Sequence, residues 1–175
     1  MRYPEKSANM QIMIRKVYSK YDLPFDLLLL ADEPIAVIER YIYDSEVYIA
    51  MESEDSEAVG VFALLKINDS DIEIKNIAVA ETLQNRGIGS FLISEIKRIA
   101  KLAKFENVIV GTPDVALKQI NFYEKNGFIK YDLKKDFFIE NYPAPIIDNG
   151  VTLRDMVMLK VKLSPRPQLI ISILA

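Results

Sequence analysis

The chain has 175 residues, half of them apolar and 27% charged, a balance that suits one folded domain with a full core. Its formal net charge of −3 argues against nucleic acid as a partner, because neutralising phosphates needs a basic excess. Cysteine and histidine are both missing, which excludes disulfides, thiolate metal sites, a cysteine nucleophile and an imidazole base. Any acid–base chemistry then falls to Glu, Asp, Tyr, Lys, the main chain or water, and no metal is expected.

The polar start MRYPEKSANM has no apolar run of the secretory kind, and no apolar stretch is long enough to span a bilayer. A cytoplasmic protein with no membrane partner is the expectation. Residues 1–9 read as an extension and 10–17 as a first strand. Pro24 and Pro34 open two short helical segments at 25–30 and 35–43. Strands follow at 47–51, 59–67 and 72–79. In the third, the apolar residues Ile72, Ile74, Ile77 and Val79 change parity, which predicts a bulge near Lys75 and Asn76.

A helix is predicted over 87–104, with Ile88, Leu92, Ile96, Ile99 and Ala103 on one stripe. A strand at 107–111 leads to a second helix, with Asp114 as its expected N-cap and Gly127 as the residue past its end. Residues 128–133 return as a strand, 134–150 read as irregular up to an Asn149-Gly150 turn, and 151–163 as one long last strand. The order is that of a mixed α/β fold with meander strands first and crossover helices later. The apolar tail, 169–175, reads either as a packed end or as the contact of a homodimer.

The most informative run is 72–90, IEIKNIAVAETLQNRGIGS. A strand ends, a short loop follows, and Gln84, Asn85, Arg86, Gly87, Ile88 and Gly89 open the best helix in the chain. The first turn of a helix offers unpaired N–H groups and the positive end of its dipole. Glycines let a phosphate approach the backbone, and Arg86 adds a positive charge. A pyrophosphate suits such a place. The loop lacks the Lys-Ser/Thr ending of a nucleotide P-loop, and Leu92 stands where a dinucleotide fingerprint has its third glycine.

With Gln84, Gly87 and Gly89 in the pattern Q-x-x-G-x-G after an I-A-V strand end, the chain resembles the GNAT superfamily of acyl-CoA N-acyltransferases. Roughly 35 residues on, Phe122-Tyr123-Glu124-Lys125-Asn126-Gly127-Phe128 is similar to the F-Y-x-x-x-G-F signature of the same family. The later stretch DFFIENYPAPIIDNGVTLRDM resembles a subgroup of small bacterial members. The resemblance covers residues 10–163, with 164–175 as a tail. It implies a mixed, mostly antiparallel, strongly twisted sheet of about seven strands flanked by about four helices.

It further implies acetyl-CoA as cosubstrate and the primary amine of a small molecule or peptide as acceptor. The main chain of Ile77, Ala78 and Val79 would pair with the pantetheine arm, and Gln84 and the amides of Arg86 through Ser90 would hold the diphosphate. Tyr123 would protonate the leaving thiolate, a phenol and a thiol differing by only about 1.5 pK units in solution. Glu73, on the strand leading to the thioester, would take the amine's proton directly or through water.

The same residues carry plainer readings. Tyr123 fits a core aromatic, Glu73 a solvated strand position, Asp155 a bulge or buried hydrogen bond, and the acidic residues from Asp44 to Glu57 a solvated hairpin tip. The acceptor region, about 21–45 and 131–155, together with nearby Tyr18, offers the aromatics Tyr18, Tyr21, Tyr41, Tyr43, Phe137, Phe138 and Tyr142. The alternative function is a non-catalytic module that holds acyl-CoA as a sensor or interaction domain.

Overall fold

A computed structural model describes residues 11–32, 34–148 and 150–164. The expected extension, Asn149 of the expected turn and the apolar tail lie outside the described residues. Seven strands form one sheet in the order β1-β2-β3-β4-β5-β9-β6, mixed and mostly antiparallel as expected. These are β1 (Met13–Val17), β2 (Glu46–Met51), β3 (Ala58–Lys66), β4 (Asp71–Val79), β5 (Asn107–Pro113), β6 (Ile129–Lys134) and β9 (Met156–Lys162). β7 (Ile147–Asp148) and β8 (Val151–Thr152) make a separate small hairpin. The helices are α1 (Phe25–Leu28), α2 (Ile35–Ile38), α3 (Ile88–Leu102), α4 (Leu117–Lys125) and α5 (Phe137–Asn141). No helix among the described residues is long and apolar enough to cross a membrane.

The chain divides into two compact units, one holding residues up to Leu64 with Lys75–Leu92, the other Leu65–Ile74 with the residues from Ile93 on. In the first, β1 pairs antiparallel with β2 and β2 with β3. Pro24 and Pro34 stand at the N-caps of α1 and α2, where a residue without an N–H costs nothing. Leu27, Leu28, Ile38, Tyr41 and Ile42 pack with Val47, Ile49, Val61, Ala63 and Ala78 in its core.

The expected parity change in β4 is not what burial shows. Ile72, Ile74, Asn76 and Ala78 are all buried, so the inward parity runs on unbroken and the polar Asn76 takes a core position. Its amide Nδ2 donates to the Leu28 carbonyl and to the Tyr41 hydroxyl, both at 3.0 Å. The nitrogen end of this buried amide is thus paired, while its Oδ1 has no hydrogen-bond partner among the described residues. Asn76→Leu removes both bonds, while the Leu28 carbonyl keeps the Ala31 and Asp32 N–H groups, and is expected to lower stability by about 1 kcal/mol, read as a reduced urea midpoint.

In the second unit, β5 runs parallel to β4 from Asp71↔Asn107 to Ile74↔Val110, and β9 lies antiparallel to both β5 and β6. α4 ends in a left-handed cap. Gly127 has φ +87, its N–H donates to the Glu124 carbonyl, and the Phe128 N–H reaches the Tyr123 carbonyl at 3.1 Å. That pair of bonds is the Schellman arrangement, and Gly127 adopts the conformation without a Cβ penalty. Lys97 donates to the Asn126 carbonyl at the same helix end, and its ammonium lies 5.6 Å from the centre of the Phe128 ring. Lys97→Met removes a cation from the negative end of α4 and is expected to cost about 1 kcal/mol, measurable by denaturant titration.

Three expectations are corrected here. Asp114 is not the N-cap of α4: its N–H donates to the Asp155 carbonyl, and the helix starts only at Leu117. Residues 134–150 are not wholly irregular, because Asp136, with φ 55, turns the chain into α5 and buries Phe138. The last strand is broken between Thr152 and Met156, since the Asp155 carboxylate accepts from the Asp136 N–H at 2.8 Å. Asp155 therefore makes the hydrogen bond expected of it as one of its two structural readings.

Candidate functional site

The end of β4 and the start of α3 are joined by a loop in the first unit. The ladder of β4 with β5 stops at Ile74, so Ile77, Ala78 and Val79 continue past it. Ala78 is buried, while Ile77 and Val79 are half-buried. The Ala80 N–H donates to the Val59 carbonyl and the Leu83 N–H to the Ala80 carbonyl, which turns the chain sharply out of the strand. Gln84 then folds back, its Nε2 donating to the Val79 carbonyl at 3.1 Å. Its side chain thus braces the loop between strand and helix.

Asn85 has φ 61 and Gly87 φ 86, with Arg86 between them at negative φ. Alternation of this kind turns successive N–H groups toward one side and makes a concave cradle for an anion. Among the described residues, the amides of Asn85, Arg86, Gly87, Ile88 and Gly89 have no backbone acceptor, and the first helical bond runs from the Phe91 N–H to the Gly87 carbonyl. Asn85, Arg86, Gly87 and Ser90 are exposed and Gly89 half-exposed, while Ile88 is buried and anchors the first turn of α3. A Cβ built on Gly87 would meet nothing within 4 Å. The place is open, rich in donors and positive in character, and a diphosphate fits it.

Tyr123 and Glu73 belong to the second unit. The Schellman cap fixes Tyr123, whose ring meets Phe122 and Phe128 edge-on at 5.3 and 5.6 Å. The side chain is buried, and its hydroxyl has no hydrogen-bond partner among the described residues, which leaves its proton uncommitted. Burial pushes the phenol above its ordinary value, so it holds its proton at neutral pH.

A raised value in the folded state also means that stability is fully present below the unfolded tyrosine value of about 10 and is lost as pH climbs beyond it. In an alkaline absorbance titration, the last tyrosine step of the wild type is expected to be missing in Tyr123→Phe.

Glu73 is buried rather than solvated, opposite Ile109 in the β4–β5 ladder. Its charge, after burial and Asp132, helps to push the Tyr131 phenol up. Asn76 escaped the sequence reading, although strict alternation from Ile72 marks it as a polar residue on the core face.

Residues 43–130 match the model of the acetyltransferase (GNAT) domain. An uncharacterised N-acetyltransferase of Bacillus subtilis, YvbK, is 37% identical over 79% of this chain and 88% of its own length. A GNAT family acetyltransferase from Elizabethkingia anophelis, solved with acetyl-CoA bound, is 38% identical at a TM-score of 0.81, covering 87% of this chain and 98% of that one. A Bacillus subtilis acetyltransferase in complex with CoA is 35% identical at a TM-score of 0.77, covering 88% and 100%.

Proposed function

This chain belongs to the GNAT acetyltransferase family, and from that premise we propose that it moves the acetyl group of acetyl-CoA directly to the primary amine of a small molecule or peptide in the cytoplasm. The observation that carries the reading is the exposed, donor-rich loop at Asn85–Gly89 beside the end of β4. Support comes also from two relatives of this fold solved with acetyl-CoA and with CoA. Residues 10–163 act as the acetyltransferase domain.

The amides from Asn85 to Ser90 and the Arg86 guanidinium hold the diphosphate, and Gln84 keeps the loop in shape. The main chain of Ile77, Ala78 and Val79 lines up the pantetheine arm as an added strand would, and the Val79 N–H polarises the thioester carbonyl. Glu73 takes a proton from the acceptor ammonium, directly or through water. The freed nitrogen attacks the thioester carbon, so a C–N bond forms and the C–S bond breaks. Tyr123 gives its proton to the departing sulfur, and the second proton of the amine restores the phenol through solvent. The products are an amide and free CoA thiol, with no covalent enzyme intermediate, as suits a chain without cysteine.

A panel of amines with a thiol-release readout and mass detection of the product tests this. Thiol release matched by acetylated amine is expected. Thiol release without amide, or none with any amine, contradicts it. Glu73→Gln is expected to lower kcat about 100-fold. An unchanged kcat assigns the base elsewhere.

A further inference from the structure

β1 is one edge of the seven-stranded sheet, paired with β2 on one side and with no strand of the described residues on the other. An open edge is a row of peptide groups ready for another strand, and proteins commonly blunt it with a bulge. β6, the other edge strand, carries such an irregularity between Lys130 and Asp132. β1 carries none: its ladder with β2 runs in register from Met13↔Met51 to Val17↔Val47.

Two cavities border β1 in the first unit. One, of about 440 Å³, is lined by residues that include Met13, Arg15, Glu54 and Asp55. The other, of about 290 Å³, has Arg15, Lys16, Tyr18 and Asp22 in its lining. Arg15 belongs to both, so the recess follows the strand, and its charge changes along the way. Glu54 and Asp55 follow β2 at the Met13 end, while Arg15 and Lys16 stand further along β1. Glu46 neutralises Lys16 at 2.7 Å. Arg15, Glu54 and Asp55 are exposed and have no ion pair among the described residues.

An edge that is acidic at one end and basic further on is complementary to itself when turned end for end. A second copy added antiparallel does this, with a two-fold axis through one residue of the strand. An axis at Arg15 or Lys16 sets that charge against its own copy, which is destabilising. An axis at Ile14 sets Ile14 against Ile14 and Met13 against Arg15, so no like charges face each other. Each copy's Arg15 then comes beside the other copy's Glu54 and Asp55.

We infer that a second copy of this chain docks on β1, antiparallel and centred on Ile14, so that the chain forms a two-fold dimer held by paired β1 strands and by Arg15 against Glu54 and Asp55. The inference goes beyond the transferase reading and does not depend on it.

The test uses sedimentation equilibrium over a dilution series, with circular dichroism to check that each variant folds. The wild type is expected to dimerise. Arg15→Glu, and Glu54→Lys together with Asp55→Lys, are each expected to raise the dimer Kd about tenfold or more. All three changes in one chain restore opposite charges across the axis and are expected to bring the Kd back within about threefold. The chain has no cysteine, so Ile14→Cys supplies one thiol per chain at the axis. Facing Cα atoms of an antiparallel pair lie about 4.5–5.5 Å apart, within reach of a disulfide. Oxidised Ile14→Cys is expected to run as a covalent dimer on a non-reducing gel, and Tyr43→Cys, an exposed position off this edge, as a monomer. A monomeric wild type overturns the inference. So does a dimer whose Kd ignores the charge reversals or whose Ile14→Cys variant stays unlinked, because another surface then holds it. A triple variant that fails to recover the dimer overturns it as well, since Arg15 then does not meet those carboxylates.

Discussion

Tyr123→Phe is expected to lower kcat about 100-fold or more while leaving the Kd of CoA within twofold and the fold intact. The size follows from general acid catalysis, which contributes roughly two to four orders of magnitude when the group is positioned. Fold retention follows from the packing. The ring is gripped by Phe122 and Phe128 and by the Schellman cap, and Phe keeps all of that. The hydroxyl has no partner among the described residues, so its loss orphans nothing. A tyrosine conserving only a core would show the reverse pattern, with kcat unmoved. Burial raises the phenol's pKa, which makes it a weaker acid in isolation but ensures that it carries the proton to be given. If kcat stays within threefold of wild type, the thiolate leaves without help from this residue.

Gly87→Val is expected to weaken CoA binding about 100-fold or more with a much smaller loss of stability. At φ +86 a β-branched residue pays a backbone strain of about 1–3 kcal/mol. A Cβ there meets no atom within 4 Å, so no steric clash adds to that strain. The damage falls on the ligand. The side chain would stand over the amides of Asn85 to Gly89, and a diphosphate pushed away from two of them forfeits about 3–6 kcal/mol of charge-assisted hydrogen bonding. Calorimetry for binding and thermal melting for stability separate the two effects. A variant that binds CoA as wild type does would remove the loop from the account.

What the sequence disclosed was mostly local. Gly127 and Phe128 announce the end of α4, because the cap is built from bonds within six residues. Pro24 and Pro34 mark their helices for the same reason. The loop after β4 could be read from its glycines and its position before an amphipathic helix. Tertiary bonds were not legible. Asn76 is at home in a core because Leu28 and Tyr41 lie 48 and 35 residues away in sequence and meet its amide in the fold. Asp114 has the chemistry of an N-cap, but the Asp155 carbonyl claims its N–H. The alternation in 151–163 pointed to one strand, and the contacts of Asp155 with Asp136 and Asp114 break it. Glu73 carried no local sign of burial, which comes from its place in the β4–β5 ladder.

Titration of isotope-labelled protein with CoA, followed by amide resonances and calorimetry together, addresses the loop most directly. The account predicts one CoA per chain, with the largest amide shifts at Asn85, Arg86, Gly87, Ile88 and Gly89. An absence of binding heat, or saturable binding that leaves those five amides unmoved, would contradict it.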